Sequence, residues 1–322
     1  MALVLREKHV RMLLSMQDTV AVLEKAFNAQ AQGMVINQPR NRLVLANGVL
    51  NILAAAAPTF GVLGYKTYTA FRDGVRFVVM LYSARDGRLQ AIVEAEWLGA
   101  MRTGAVSALA TKYLARPDAR VVGLFGSGKQ AVTQLMGVCA VLDIASIRVY
   151  SRDVQMCERF CREMAQVLGV EVIPVPTARE AVIDSDIIIT ATTAGEPVFQ
   201  GEWLQPGCHI NAIGSNWSRK REIDFTTLQR SSLVVTDSLE QAMEEAGDLI
   251  IPANEGLFDW NSVYELAEVI SSERYDGPWR ETPEDITLYK GLGIALEDVV
   301  TAAHVYHLAC AQGLGEELNL LS

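Results

Sequence analysis

The spacing of apolar side chains changes along the chain, and each change predicts a different kind of structure. From about Glu7 to Gln32, apolar residues recur at helical spacing, and Ser15 with Asp18 resembles a capping box that opens the main helix. From Val35 to Ala95 the pattern becomes short β-rich runs separated by Asn-Gly and Asp-Gly dipeptides, which are typical of tight hairpins. We therefore expect a helix followed by an antiparallel meander of about five strands.

The second half of the chain alternates between strand and helix patterns. A predicted helix from Glu96 to Ala115 ends at Arg116-Pro117-Asp118, which marks a domain boundary. Strands are then predicted near 120–126, 146–151, 170–175, 186–191, 207–213 and 232–237, and helices near 129–142, 153–168, 178–184 and 238–246. This alternation indicates an α/β fold with a doubly wound parallel sheet. An alanine-rich helix from Leu292 to Gln312 closes the chain, and we expect it to return to the first domain.

A glycine-rich turn joins the first predicted strand of this region to the helix after it. The turn, residues 126–131, has the pattern G-x-G-x-x-A. In dinucleotide-binding proteins these small residues allow a tight turn, let the pyrophosphate approach the backbone, and let the helix pack on the sheet. Amides at the helix start then bind the anion. The alternative is a purely structural strand-turn-helix, but the buried strand at Val121 to Phe125 and the following strand at Ser146 to Ser151 favour a dinucleotide site.

Three loops that follow apolar strands, residues 126–130, 190–193 and 214–216, are candidates for ligand binding, because ligands of open α/β sheets bind at the carboxyl ends of the strands. After the second strand, Ser151 and Arg152 could hold a 2′-phosphate, whereas an acid for the ribose hydroxyls comes only at Asp153. This favours NADP(H) over NAD(H). The predicted cofactor-binding residues are Gly126, Ser127, Gly128, Lys129, Gln130, Ser151, Arg152, Ala191, Thr192, Thr193, Thr103 and Gly214.

The composition and charge of the chain limit which kinds of molecule it is expected to bind. The chain has 322 residues, half of them apolar, which allows a large core and suggests two domains. Its formal charge of −10 disfavours nucleic acid and anionic membranes, so a small molecule is expected instead. The apolar runs are too short for a signal peptide or a bilayer span, so we expect a cytoplasmic protein. The five cysteines form no C-x-x-C pair, and His304 and His307 have no third ligand positioned by sequence, so no metal site is predicted.

Several motifs together resemble the ornithine cyclodeaminase/mu-crystallin family over almost the whole chain. They are Gln38-Pro39-Arg40, Tyr65-Lys66, Glu94 to Ser107, the glycine turn, Ala212 to Asn216 with Arg221 to Asp224, and Ile286 to Gly293. The resemblance implies a homodimer with a Rossmann domain (117–292) for the cofactor. It also implies a discontinuous α+β domain for substrate binding and dimerisation, formed by residues 1–116 and a returning C-terminal helix (293–322).

The resemblance further implies that Arg40, Lys66 and Arg102 hold the carboxylate of an amino or imino acid. Lys66, beside two cations, should have a lowered pKa, which suits it to protonate an imine nitrogen. The cyclodeaminases of the family carry two carboxylates where this chain has Asn216 and, by ungapped alignment, Asn51. Neither amide is a base, so Asn216 is expected either to orient substrate or nicotinamide or merely to cap its turn.

These residues predict an NAD(P)H-dependent oxidoreductase acting on the C–N bond of a small 2-imino or 2-amino acid. Ketimine or imine reduction and alanine-dehydrogenase-like reductive amination of a 2-oxo acid with ammonia or an amine both fall within this prediction. A redox-neutral ammonia lyase of the cyclodeaminase type and a non-catalytic NADPH-binding protein of the mu-crystallin type are the alternatives.

Overall fold

A computed structural model describes residues 2–271 and 279–319 of the protein. The chain forms two compact units, the first containing the residues up to Arg102 and those from Gly293 onward, and the second containing Thr103–Leu292. The division lies inside a helix, whereas the sequence placed a boundary at the end of that helix, near Arg116. The last residues of the predicted segment 293–322, from residue 320 onward, lie outside the described part of the chain.

The first unit is built on one sheet, whose described strands are mostly antiparallel. They are β1 (Ala2–Leu5), β2 (Ile36–Asn37), β3 (Asn41–Leu45), β4 (Gly48–Ala57), β5 (Val62–Phe71), β6 (Gly74–Ser83), β7 (Leu89–Glu94) and β16 (Glu316–Leu318). Their order is β16-β1-β7-β6-β5-β4-β2, and β3 also pairs with β4. The predicted meander is confirmed. The sequence did not predict β1, which runs parallel to β7, or β16, which pairs with β1.

Helices cover one face of this sheet. They are α1 (Glu7–Leu13), α2 (Met16–Ala31), the start of α3 (Glu96–Leu114) and α11 (Ala295–Gln312). The predicted cap is present, because the Ser15 side chain accepts a hydrogen bond from the Asp18 amide at 3.1 Å. Helix α11 packs against β4, β5 and β6. Burial on β4 alternates strictly from Asn51 to Ala57, so every second side chain of this strand points to the covered face.

The second unit contains a parallel sheet with helices on both faces. Its described strands are β8 (Val121–Phe125), β9 (Ser146–Tyr150), β10 (Glu171–Pro174), β11 (Ile187–Thr190), β12 (His209–Ala212), β13 (Ser231–Thr236), β14 (Val263–Glu265) and β15 (Ile286–Lys290). They lie in the order β10-β9-β8-β11-β12-β15-β13-β14. The chain moves outward from β8 to β10 and then returns to place β11 on the other side of β8. A crevice for a ligand is expected at such a switch point.

The helices of this unit explain why its strands read as continuous apolar runs. Besides the remainder of α3 they are α4 (Lys129–Val141), α5 (Val154–Leu168), α6 (Ala178–Val182), α7 (Phe225–Arg230), α8 (Leu239–Glu245), α9 (Gly247–Asn254) and α10 (Leu266–Ser271). Apolar side chains cluster on both sides of the sheet, one cluster around Leu124 and Leu135 and the other around Phe125 and Ile210. The predicted doubly wound fold is therefore confirmed. Among the described helices, none has both the length and the apolar character that crossing a membrane requires.

Candidate functional site

Two of the three predicted carboxylate-binding cations share one carboxylate in the first unit. Lys66 on β5 donates from Nζ to Asp298 Oδ1 at 2.9 Å, and Arg102 on α3 donates from Nε to the same oxygen at 3.1 Å. Arg40, in the segment before β3, donates from Nη2 to the carbonyl oxygen of Gly293 at 2.9 Å. The three side chains are all more than nine-tenths buried. The structure thus brings these cations together as a buried cluster.

The cluster contains two acids that sequence reasoning missed. Glu297 and Asp298 are consecutive residues of α11 and are almost completely buried. Glu297 Oε2 accepts from Arg102 Nη1 at 2.5 Å, so Arg102 contacts both carboxylates. A signal was present in the sequence, because two adjacent acids on an alanine-rich helix that packs on a core are unusual unless cations pair with them.

Burial is the main cause of the altered acidity of Lys66. The pKa of its ammonium group is lowered to about 8, first because burial penalises the charged form. The Asp298 carboxylate opposes this and raises the pKa, while the Arg102 and Arg40 guanidiniums lower it further. The sequence predicted the correct direction from the neighbouring cations, but their effect is smaller than that of burial.

Lys66 retains hydrogen-bonding capacity for a ligand. Of the three N–H bonds of its ammonium group, one has an acceptor among the described residues, the Asp298 carboxylate. The rings of Tyr68 and Phe77 lie 5.7 and 5.3 Å from Nζ, which is within the range of cation–π attraction. A Cβ atom on Gly99 would lie 3.3 Å from Nζ, so this glycine leaves space beside the ammonium group. The Lys66 ammonium group could therefore donate hydrogen bonds to a small polar ligand.

The second unit contains a cavity of about 710 Å³ at the carboxyl ends of β8, β9 and β11. Eight of the predicted cofactor-binding residues line it: Gly126, Ser127, Gly128, Ser151, Arg152, Ala191, Thr192 and Thr193. The other four do not. Lys129 and Gln130 are exposed on the first turn of α4, Thr103 lies on α3, and Gly214 lies in the loop after β12.

The two glycines of the turn have different roles. Gly126 has φ of 100°, and a Cβ atom there would lie 2.6 Å from the Ala191 carbonyl oxygen, so the turn requires glycine. A Cβ on Gly128 would meet no atom within 4 Å, which leaves the backbone before α4 open to a ligand. An open backbone at the start of a helix is suited to a phosphate group. These residues fit the pyrophosphate of a dinucleotide.

The cavity is also lined by residues that could bind the ribose of the cofactor. Ser127 Oγ donates to Ser151 Oγ at 3.2 Å, which joins the glycine turn to the end of β9. The Arg152 side chain is exposed beside them. Asp153, the competing carboxylate, caps α5 by accepting from the Met156 amide at 2.9 Å.

Glu222 organises two of the three predicted ligand loops and was not identified from the sequence. Its buried carboxylate accepts hydrogen bonds from Thr190 Oγ1 at 2.8 Å, the Thr192 amide at 2.8 Å and the Gly214 amide at 2.6 Å. Burial raises its pKa, and the nearby Lys290 ammonium opposes that change. Gly214 and Thr192 are thus held together by one acid.

Asn216 is half-buried in the loop that also contains Gly214. It directly follows Ser215, whose backbone carbonyl oxygen accepts a hydrogen bond from a buried side chain. Lys290 Nζ donates to the Ser215 carbonyl oxygen at 2.6 Å and pairs with Asp248 Oδ2 at 2.9 Å. The fully buried Lys290 therefore fixes the loop that carries Asn216. In the sequence, Lys290 was only one residue of the Ile286 to Gly293 motif, and no role was predicted for it.

The chain belongs to the ornithine cyclodeaminase/mu-crystallin family, whose model matches residues 1–313. A Delta(1)-pyrroline-2-carboxylate reductase of Bacillus cereus is 33% identical, over 98% of this chain and 99% of its own. The structure of Thermococcus litoralis Delta(1)-pyrroline-2-carboxylate reductase in complex with NADH and L-proline shares 35% identity at a TM-score of 0.93 and covers 98% of this chain and 100% of its own.

An archaeal alanine dehydrogenase dimer with bound NAD is also similar, with 30% identity, a TM-score of 0.93 and 99% coverage of both chains. These relatives are reductases and dehydrogenases of small imino and amino acids. The predicted family, fold class and reaction class, an oxidoreductase acting on a C–N bond, are confirmed.

Proposed function

We propose that this protein reduces the C=N bond of small 2-imino acids with a nicotinamide dinucleotide. Cyclic ketimines such as pyrroline-2-carboxylate are the first substrates to consider, because the relatives from Bacillus cereus and Thermococcus litoralis are named as reductases of that compound. The observation that carries the proposal is the buried Lys66 ammonium, which has two N–H bonds left for a ligand and lies in one cluster with two guanidiniums. The first unit would bind this substrate, and the second would bind the cofactor.

The substrate carboxylate is bound by Arg40 and Arg102. Planar guanidiniums hold a carboxylate by paired, charge-assisted hydrogen bonds, and two of them fix the orientation of the adjacent carbon. Orienting the carbon before reaction removes much of the entropic cost of the chemical step. The backbone contact of Arg40 and the acid contacts of Arg102 keep both groups in place for this purpose.

Lys66 supplies the proton. A bound nicotinamide cofactor, when reduced, supplies the hydride to the imine carbon. The Lys66 ammonium transfers a proton to the imine nitrogen, so that C=N becomes CH–NH and Lys66 is left as a neutral amine that recovers a proton from solvent. A donor whose pKa is about 8 is well matched to this transfer near neutral pH.

NADP(H) is the proposed cofactor, with NAD(H) as the weaker one. The proposal is supported by the Ser151 hydroxyl and the exposed Arg152 guanidinium at the cavity, where a 2′-phosphate would be bound. The role of Asp153 as a helix cap also supports it, because that carboxylate is engaged by the Met156 amide.

The protein is proposed to act as a homodimer in the cytoplasm. On β4 and β5, the side chains that point away from α11 include the half-buried Ile52 and Tyr65 and the exposed Leu63. An apolar sheet face of this kind is suited to pairing with a second copy. The five free cysteines fit a reducing compartment.

Asn216 is proposed to orient the substrate or the nicotinamide by hydrogen bonding. Asn216→Asp provides the test, because a carboxylate near the substrate carboxylate should raise KM, whereas a residue that only caps its turn should tolerate the change. The native enzyme should release little ammonia from ornithine, because Asn216 is not a base.

One screen tests the main proposal. NADPH oxidation is followed with pyrroline- and piperideine-2-carboxylate, and with pyruvate or glyoxylate plus ammonia or methylamine. Lys66→Ala should lower kcat while cofactor binding stays intact, and Arg102→Ala should chiefly raise KM for the imino acid. Ammonia release from ornithine without net NADPH consumption would identify a lyase instead. Tight NADPH binding with no turnover of any of these compounds would identify a binding protein.

A further inference from the structure

The cluster contains one acid whose contacts are unusual for a structural ion pair. Asp298 uses a single oxygen, Oδ1, for both Lys66 and Arg102, at 2.9 and 3.1 Å. Its other oxygen, Oδ2, is buried and has no hydrogen-bond partner among the described residues. A buried carboxylate oxygen without a partner costs free energy, so this arrangement is not one that stability alone would select.

The shared oxygen fixes the two cations relative to each other. Lys66 lies on β5 and Arg102 on α3, and Asp298, which contacts both, lies on α11. Three separate elements thus meet at one atom. A long lysine side chain has many rotamers, and a charge-assisted hydrogen bond to a completely buried partner selects one of them.

We propose that Asp298 is a positioning residue of the reductase reaction: through one oxygen it orients the Lys66 ammonium and the Arg102 guanidinium, and it maintains Lys66 as the proton donor. This inference rests on the proposed function. It assigns to α11 a part in the reaction that the sequence motifs do not show.

The charged groups around Lys66 show why Asp298 is the one that matters. Arg40 from the segment before β3 and Arg102 from α3 both lower the Lys66 pKa, as does burial. The rings of Tyr68 and Phe77 complete the surroundings. Asp298 is the group that raises the pKa by charge and by hydrogen bond. Its neighbour Glu297 contacts Arg102. Loss of the Asp298 charge should therefore favour the neutral amine, which cannot donate the required proton.

The experiment measures kcat/KM for NADPH-dependent reduction of pyrroline-2-carboxylate as a function of pH. The native enzyme should lose activity as pH rises through the pKa of Lys66, which is about 8. Asp298→Asn should move this decline to lower pH by at least about one unit, because an opposite charge in contact shifts a pKa by about 1–3 units. Glu297→Gln is the matched control. It removes an acid of the same helix that contacts Arg102, so it should raise KM and leave the position of the decline unchanged.

Folding is checked by circular dichroism and by NADPH binding, which depends on the second unit. If Asp298→Asn is folded and its activity declines at the native pH, the inference is wrong, and Asp298 only stabilises the fold. If Asp298→Asn does not fold, Asp298→Glu decides, because it keeps the charge but moves the oxygen by about 1.5 Å. In Asp298→Glu, the activity should decline at the same pH as in the native enzyme, while kcat falls at least about tenfold. An unchanged kcat would also overturn the inference.

The same data separate this inference from the proposed function. If the native enzyme reduces no imine, the proposed function is wrong, and the inference about Asp298 is wrong with it. If the native enzyme reduces the imine but the pH profile of Asp298→Asn is unchanged, only the inference about Asp298 is wrong.

Discussion

Gly293 and Arg102 are packed so closely that a methyl group on Gly293 would overlap the Arg102 guanidinium. Gly293 also has φ of 78°, in the left-handed region that favours glycine, and its carbonyl oxygen accepts a hydrogen bond from Arg40 at 2.9 Å. One backbone residue therefore sets the positions of both guanidiniums that are proposed to bind the substrate carboxylate.

Replacing this glycine should damage substrate binding more than it damages the fold. Gly293→Ala should raise KM for the imino acid at least about tenfold, because the added Cβ must displace the Arg102 guanidinium. Gly313→Ala is a matched control at the other end of α11. Gly313 has φ of 65°, and its Cβ would meet no atom within 4 Å, so only a backbone cost of about 1–2 kcal/mol applies. Steady-state kinetics and thermal melting distinguish the two. Equal losses of activity would contradict the role of Gly293.

The cofactor preference should depend on Arg152. Arg152→Ala should raise KM for NADPH at least about tenfold and leave KM for NADH almost unchanged, because a lost hydrogen bond to a charged group costs about 1.5–3 kcal/mol. Arg159→Ala, which removes an exposed arginine within α5, serves as the control and should affect neither cofactor. Equal effects of Arg152→Ala on both cofactors would end the NADP(H) proposal.

The two directions of the reaction should respond oppositely to pH. Reduction needs the protonated form of Lys66, so its rate should fall as pH rises through about 8. Oxidation of the amino acid needs a neutral amine to accept the proton, so its rate should rise over the same interval. Reduction of pyrroline-2-carboxylate and oxidation of L-proline are measured across this pH range. A parallel fall of both rates, with the protein still folded, would show that Lys66 is not the titrating group.

The open face of the first sheet should form the dimer contact. Light scattering at micromolar concentration should show a dimer, and Leu63→Lys should shift it towards the monomer, because Leu63 is 39% exposed on that face. Met12→Lys provides the comparison, since Met12 is also an exposed apolar residue but belongs to helix α1 and not to the sheet. A native protein that is a stable monomer would contradict the proposal, as would dissociation caused equally by both variants.

Local patterns predicted most of the fold and missed the elements that depend on distant partners. The helix at Met16–Ala31 and the meander could be read from spacing alone. Strand β15, at Ile286–Lys290, was missed because Thr287 and Lys290 interrupt its apolar pattern, although both are buried. Thr287 is satisfied by the Leu114 carbonyl oxygen at 3.1 Å, a contact across a long stretch of sequence. Strands β1 and β16 pair from opposite ends of the chain, so neither shows its partner locally.

The residues of the candidate site also fall into those that local patterns predicted and those that depend on distant partners. The glycine turn and Ser151 could be predicted because their spacing follows from the geometry of one strand-turn-helix unit and the next strand. The partners of Glu297 and Asp298 could not be predicted, because Arg102 and Lys66 lie on elements far apart from α11 in sequence. A buried charge is recognised as functional only when its partner is known.

Glu297 and Asp298 lie on α11, which follows the second unit in sequence, and this order has a consequence for protein synthesis. Lys66 and Arg102 emerge from the ribosome long before α11, and the whole second unit is complete before that helix appears. A chain that stopped before Ala295 would keep the glycine turn and its cavity but leave two buried cations uncompensated, which is strongly destabilising. Such a truncated product could still capture a dinucleotide but would have no ordered place for the substrate. Activity is therefore acquired only after α11 has been synthesised.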